Sequence, residues 1–86
     1  MDEVRIEFPC DYPIKVIGDA QSDAVAQIIS VVRNHAPEVT PDQINTRASR
    51  HGNYQSVRVV IRATGEPQLR ALHADLMALS SVRMVL

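Results

Sequence analysis

The chain has 86 residues, 45% of them apolar, and a formal net charge of −1 from nine Lys/Arg and ten Asp/Glu. That length makes one domain, able to bury about 60% of its unfolded surface, and the near-neutral charge argues against a generic nucleic-acid binder, which is basic overall. Phe8, Tyr12 and Tyr54 are the aromatics, so the core must be aliphatic; the lone Cys10 excludes an intramolecular disulfide and fits a reducing compartment.

The N-terminus, MDEVRIEFP, is acidic and lacks the apolar stretch of a signal peptide. No apolar run approaches the ~18 residues of a membrane span. A cytoplasmic location with no membrane partner is therefore expected. Residues 1–11 carry Asp2, Glu3, Glu7 and Asp11 and read as an acidic arm anchored by Ile6 and Phe8, ahead of a single domain over 12–86. YPIKVIG then predicts a first strand. Ile14 and Val16 face one way, Lys15 and Ile17 the other, and Gly18 closes it.

QSDAVAQIISVVRNHAP predicts a helix, because Val25, Ile28, Ile29, Val32 and Ala36 fall on one stripe. Asp19 or Ser22 is placed to cap its start, and Pro37 ends it. A turn-rich EVTPD follows. INTRASR reads as a polar second strand at a sheet edge. In HGNYQSVRVVIRAT, Gly52-Asn53 is a hairpin signal. Val57, Val59 and Ile61 then alternate with Ser56, Arg58, Val60 and Arg62. TGEPQLRALHADLMAL predicts a second helix with Leu69, Leu72, Leu76 and Leu79 inward and Pro67 in the first turn. SSVRMVL closes the chain as a strand. The order β-α-β-β-α-β predicts an α+β, ferredoxin-like two-layer sandwich: a four-stranded antiparallel sheet with both helices on one face.

A two-residue Gly52-Asn53 turn would pair His51 with Tyr54, Ser49 with Ser56, Arg47 with Arg58 and Asn45 with Val60. It brings the apolar members of both strands to the same face. The face without helices should then carry Lys15, Ile17, Arg47, Tyr54, Arg58, Val60, Arg62, Arg83 and Val85. Residues 13–18, 43–64 and 80–86 contain six cations and no acid, so the sheet is expected to be basic and the remainder acidic. Arg47 opposite Arg58 would cost a few tenths of a kcal/mol. Three readings stand for this face: solubility, a cover made by the acidic arm, or an acidic partner.

No catalytic constellation is visible, so no enzyme, metal or cofactor is expected. His35, His51 and His73 share no metal-ligand spacing with one another or with Cys10, and Cys10 has no base beside it. His35 falls near a helix end, His51 in the hairpin turn, and His73 beside the leucine stripe. Gly18, Asp19 and Ala20, just before the first helix, are either a plain turn or a set of amides open to an anion.

The segments EFPCDYPIKVIG, VVRNHAP, HGNYQSVRVVIRAT and VRMVL resemble the YbeD family of small uncharacterised bacterial proteins, over about Glu7 to Leu86. Ile17 stands where that family would have methionine. The resemblance implies a ferredoxin-like fold similar to ACT-type regulatory domains. Those domains bind small effectors such as amino acids and often associate through sheets or helices. An ACT-like effector site would use Gly18, Asp19 and Ala20, at a dimer interface, although Asp19 would repel an anionic ligand. Genes of the family often lie beside lipoate-biosynthesis genes. The expected function is a small regulatory or interaction module binding a metabolite or a partner protein, with homodimers among its assemblies. The alternative is nucleic-acid binding by the open sheet, which would lack the central aromatics that such sheets use to stack bases.

Overall fold

A computed structural model describes residues 7–20 and 22–86. The chain forms β1 (Cys10–Asp19), α1 (Ser22–His35), a short 3-10 turn (Pro41–Gln43), β2 (Ile44–Ala48), β3 (Tyr54–Ala63), α2 (Glu66–Met77) and β4 (Val82–Val85). The strand order is β2-β3-β1-β4, every neighbour antiparallel. This is the ferredoxin-like arrangement that the element order predicts.

Alternation in the strands and a stripe on each helix explain the two layers. Val57, Val59, Ile61 and Ala63 of β3 are all but inaccessible, and Ile14 and Val16 of β1 join them. Onto them α1 lays Ala24, Ile28, Val32 and Ala36, while α2 lays Leu72 and Leu76. Val25, Leu69 and Leu79 pack at the border of this core. The α1 stripe is thus turned slightly from expectation, with small Ala24 at its centre line. His35 Nε2 lies 2.6 Å from Asp75 Oδ2 and ties the end of α1 to α2. The Gln68 side chain donates to the His35 carbonyl at 2.9 Å.

β1 is longer at both ends than its apolar run suggests. Asp11, expected in the arm, belongs to the sheet and lies opposite Arg62. Asp19, expected as a cap of α1, is the last residue of the strand, and its carboxylate is bound by Arg83. Asp2, Glu3 and Ile6 of the expected arm lie outside the described residues, and so does the question of whether that arm covers the sheet. The cap expected from Ser22 lies outside the described side chains. Pro13 is tolerated inside β1 because its nitrogen faces away from β3. Lys15 exchanges both backbone hydrogen bonds with Leu86 (3.0 and 2.7 Å), so its backbone faces β4, and Pro13, two residues away, faces the same side.

The β2–β3 register differs from expectation by two residues. Arg47 lies opposite Ser56, Asn45 opposite Arg58, and Thr46 opposite Val57. The reason is a longer turn. The Ser49 N–H donates to the Tyr54 carbonyl at 2.8 Å, and the Tyr54 N–H donates to Ser49 Oγ at 3.1 Å. A two-residue type I′ turn would need positive φ at both Gly52 and Asn53. Here Gly52 alone has it, at 73°. A shift of two preserves side-chain parity, so the faces are as expected while the Arg47–Arg58 opposition does not exist.

Val82 pairs with Gly18, Met84 with Ile17 and Val85 with Val16, with a bulge between Ile17 and Gly18. The bulge puts Val85 on the helix side, packed against the core. Met84, not Val85, is the apolar residue that β4 adds to the open face.

Candidate interaction face of the sheet

The face without helices is built from odd-numbered β1 residues and even-numbered β3 residues. Reading across the two central strands, Asp11 lies opposite Arg62, Pro13 opposite Val60, Lys15 opposite Arg58, Ile17 opposite Ser56, and Asp19 opposite Tyr54. Asn45 and Arg47 extend the face on β2, and Met84 extends it on β4. Of the expected face residues, Lys15, Ile17, Arg47, Tyr54, Arg58, Val60 and Arg62 are brought together on it. Arg83, at the bulge, reaches its Asp19 corner.

Charge is unevenly distributed on this face. At one end Arg62 Nη1 lies 3.3 Å from Asp11 Oδ1. At the other, Arg83 grips Asp19 with two prongs, Nε to Oδ1 at 2.8 Å and Nη2 to Oδ2 at 3.2 Å. The hydrogen bond that Asp19 accepts, and then its charge, hold the Arg83 guanidinium above its usual pKa. Between these ends Lys15, Arg47, Arg50 and Arg58 form no ion pair among the described residues. Lys15 and Arg58 face each other directly, a like-charge opposition that destabilises the sheet locally. The expectation that no acid stands in the sheet is corrected at both ends of β1. It holds for the centre.

Two hollows lie over the central strands. One of about 630 Å³ spans Pro13, Lys15, Asn45, Arg58 and Val60, with Asp11 and Asp42 among its lining residues. The other, of about 420 Å³, lies toward the hairpin among Lys15, Ile17, Arg47, Arg50 and Tyr54. Val60, Tyr54 and Met84 are exposed apolar or aromatic side chains beside the cations.

The segment Gly18–Ala20 is more engaged than an open loop would be. Gly18 is buried, and a Cβ there would sit 3.1 Å from the Ser81 carbonyl oxygen and 3.3 Å from Ile28 Cδ1. The Asp19 N–H donates to the Ser81 carbonyl at 2.8 Å, and the Ala20 N–H to the Asn53 carbonyl at 3.2 Å. The Gln55 side chain donates to the Asp19 carbonyl. With the Asp19 carboxylate taken by Arg83, the Asp19 and Ala20 amides and the one side-chain charge are already committed, and Gly18 is paired within the sheet. The segment nonetheless borders an open hollow of about 440 Å³ with Gly52, Tyr54 and Arg83.

No histidine is placed on the open strands. His51 and His73 are exposed in the turn and on α2, and Cys10 is half-buried at the start of β1. Among the described residues no group of three or more His, Cys, Asp and Glu is arranged to hold a metal, and no helix is long and apolar enough to cross a membrane. Sequence reasoning missed the two Asp–Arg pairs and Met84. Parity could have found the pairs, since Asp11 and Asp19 share it with Lys15. Nothing in VRMVL signals the bulge.

Three comparisons bear on this chain. The family described as "Protein of unknown function (DUF493)" matches residues 3–86. A UPF0250 protein of Azotobacter vinelandii is 48% identical over 83 residues, covering 95% of this chain and 90% of that one. A UPF0250 protein of Hahella chejuensis is 49% identical over 82 residues, with the same coverage. In fold, the chain is similar to protein HP0495 from H. pylori, with a TM-score of 0.74 at 15% identity over 98% of this chain and 88% of that one. It is also similar to the ACT domain from GTP pyrophosphokinase of Chlorobium tepidum, with a TM-score of 0.69 at 18% identity over 90% and 97%.

Proposed function

The chain belongs to the DUF493 family, whose function is not established, and from that premise we propose that it is a small interaction module of regulatory type, not an enzyme, which docks an acidic segment of a partner protein on its open sheet face. The observation that carries this reading is the central group Lys15, Arg47 and Arg58. The fold satisfies the cations at both ends of the face with its own carboxylates. It leaves these without one among the described residues, beside exposed Val60 and Met84. Cations around an apolar centre match an acidic amphipathic segment. Likeness to an ACT domain supports a regulatory role by fold analogy alone.

The effector reading of Gly18, Asp19 and Ala20 has less support, because that segment is largely hydrogen-bonded within the fold. The nucleic-acid reading has less still: Tyr54 is the one aromatic that a strand presents on the open face, and it stands at the hairpin end.

Site-specific photocrosslinking tests the proposal. A benzophenone side chain at Asn45, on the open face, should capture in cells a partner that the same group at Arg33 on α1 does not. With the captured partner purified, Arg58→Glu should weaken binding at least about tenfold, as expected for reversing one interfacial charge. Capture from Arg33 instead, or full affinity in Arg58→Glu, would remove the open face from consideration.

A further inference from the structure

We propose that the hollow at the hairpin end of the open face is a binding site for a phosphoryl group. The inference deepens the docking reading and rests on it, since it assigns a chemistry to one part of the same face.

Three segments deliver one cation each to this hollow: Lys15 from β1, Arg47 from β2 and Arg50 from the turn. Ser49, Ser56 and Tyr54 add hydroxyl groups. No Asp or Glu is among its lining residues. The other two hollows at this face differ in that respect. One has Asp11 and Asp42 among its lining residues, and the other contains Asp19, which already occupies Arg83. Of these three hollows, this one alone has cations and no carboxylate in its lining.

The donors suit phosphate better than a single carboxylate. Two guanidinium groups offer paired N–H donors to a tetrahedral oxyanion, and the lysine supplies a point charge. Ser49 Oγ accepts the Tyr54 N–H, so its own hydrogen is left to donate. Ser56 reaches the Arg47 carbonyl only at 3.5 Å, a contact readily exchanged for a better acceptor. A carboxylate has two oxygens to share among these groups, whereas a phosphoryl group has three and close to two negative charges. A dianion would also relieve the mutual repulsion of the three cations. A volume of about 420 Å³ holds the phosphoryl group and part of its carrier, with Ile17 and Tyr54 providing apolar surface for that carrier.

The carrier is either a small phosphorylated metabolite or a phosphorylated side chain of the partner, and one experiment separates them. Amide and arginine Nε–H shifts of the labelled protein are followed by NMR at ~0.15 M salt, first with inorganic phosphate and then with a phosphoserine peptide of neutral flanks. Saturable shifts should centre on Arg47, Arg50 and the stretch 48–56. Affinity should fall about tenfold in Arg47→Gln and again in Arg50→Gln, each loss being that of a charge-assisted hydrogen bond. It should be unchanged in Arg33→Gln. These arginines are exposed, so the variants keep the fold. Equal affinity for both probes assigns the site to a free phosphorylated compound; a markedly tighter peptide assigns it to a modified partner. Shifts that fail to saturate, that chloride reproduces at equal ionic strength, or that survive Arg47→Gln with Arg50→Gln overturn the site. If phosphate binding fails while crosslinks from Asn45 persist, the phosphoryl assignment falls and docking stands. If the crosslinks fail and phosphate still binds, the docking reading falls instead.

Discussion

The ends and the centre of the open face treat the same kind of residue in opposite ways. At the ends, Arg62 and Arg83 are held by Asp11 and Asp19, carboxylates of the strand that runs between them. At the centre, Lys15 and Arg58 face each other with no carboxylate assigned to either among the described residues. The end charges are part of how β1 is fixed in place. The central charges weaken the sheet that carries them. A fold that can pair an arginine twice on one surface, and leaves the middle unpaired, directs attention to what the middle meets.

Substitutions put that contrast to the test. The largest effect should come from beneath the face. Ile61→Ala removes a fully buried side chain and should cost about 2–5 kcal/mol in urea unfolding. Arg58→Ala, on the same strand but the other side, should stay within about 0.5 kcal/mol. A loss as large as that of Ile61 would mean that Arg58 is structural, and the contrast would fail.

Gly18→Ala comes next. Its Cβ would press on the Ser81 carbonyl, a backbone atom that already accepts the Asp19 N–H, and overpacking of this kind costs about 1–3 kcal/mol. A thermal shift near zero would show that the β4 bulge yields, and that Gly18 is not there for packing. Breaking an end pair should matter less. Asp11→Asn removes the partner of Arg62 and should cost about 0.2–1 kcal/mol at low salt, less at high salt.

The smallest change should carry the opposite sign. Arg58→Glu turns the opposition with Lys15 into a pair and should stabilise the protein by a few tenths of a kcal/mol, while it weakens docking. A variant that is more stable and less active would locate function in the repulsion itself. A variant of unchanged stability would show that the two side chains splay apart and that their opposition costs nothing.

Much of this was legible in the sequence, for a physical reason. Side-chain parity in a strand survives any error of two residues, so the faces of β2 and β3 were readable even though the turn was read two residues too short. What was not legible depended on backbone conformation alone. The hairpin closes where Ser49 and Tyr54 bond to each other, five positions apart, and no residue pattern announces that choice over a two-residue turn. A one-residue bulge in β4 exchanges Met84 for Val85 with no mark in composition. The ends of β1 were missed because Asp11 and Asp19 are polar, and apolar alternation stops where a strand begins to pair with charges.

The turn at Gly52 carries a consequence of its own. A Cβ at that position would meet nothing within 4 Å, yet the residue sits at φ +73°. The obstacle to a side chain there is handedness, not room. L-alanine must adopt the disfavoured left-handed conformation at a cost of about 1 kcal/mol. D-alanine, its mirror image, has that conformation as its own preference and leaves the unfolded chain with fewer states to lose. In a chain of 86 residues, assembled by chemical synthesis, one added D-stereocentre would tighten the turn that carries Arg50 without altering a single contact of the folded protein.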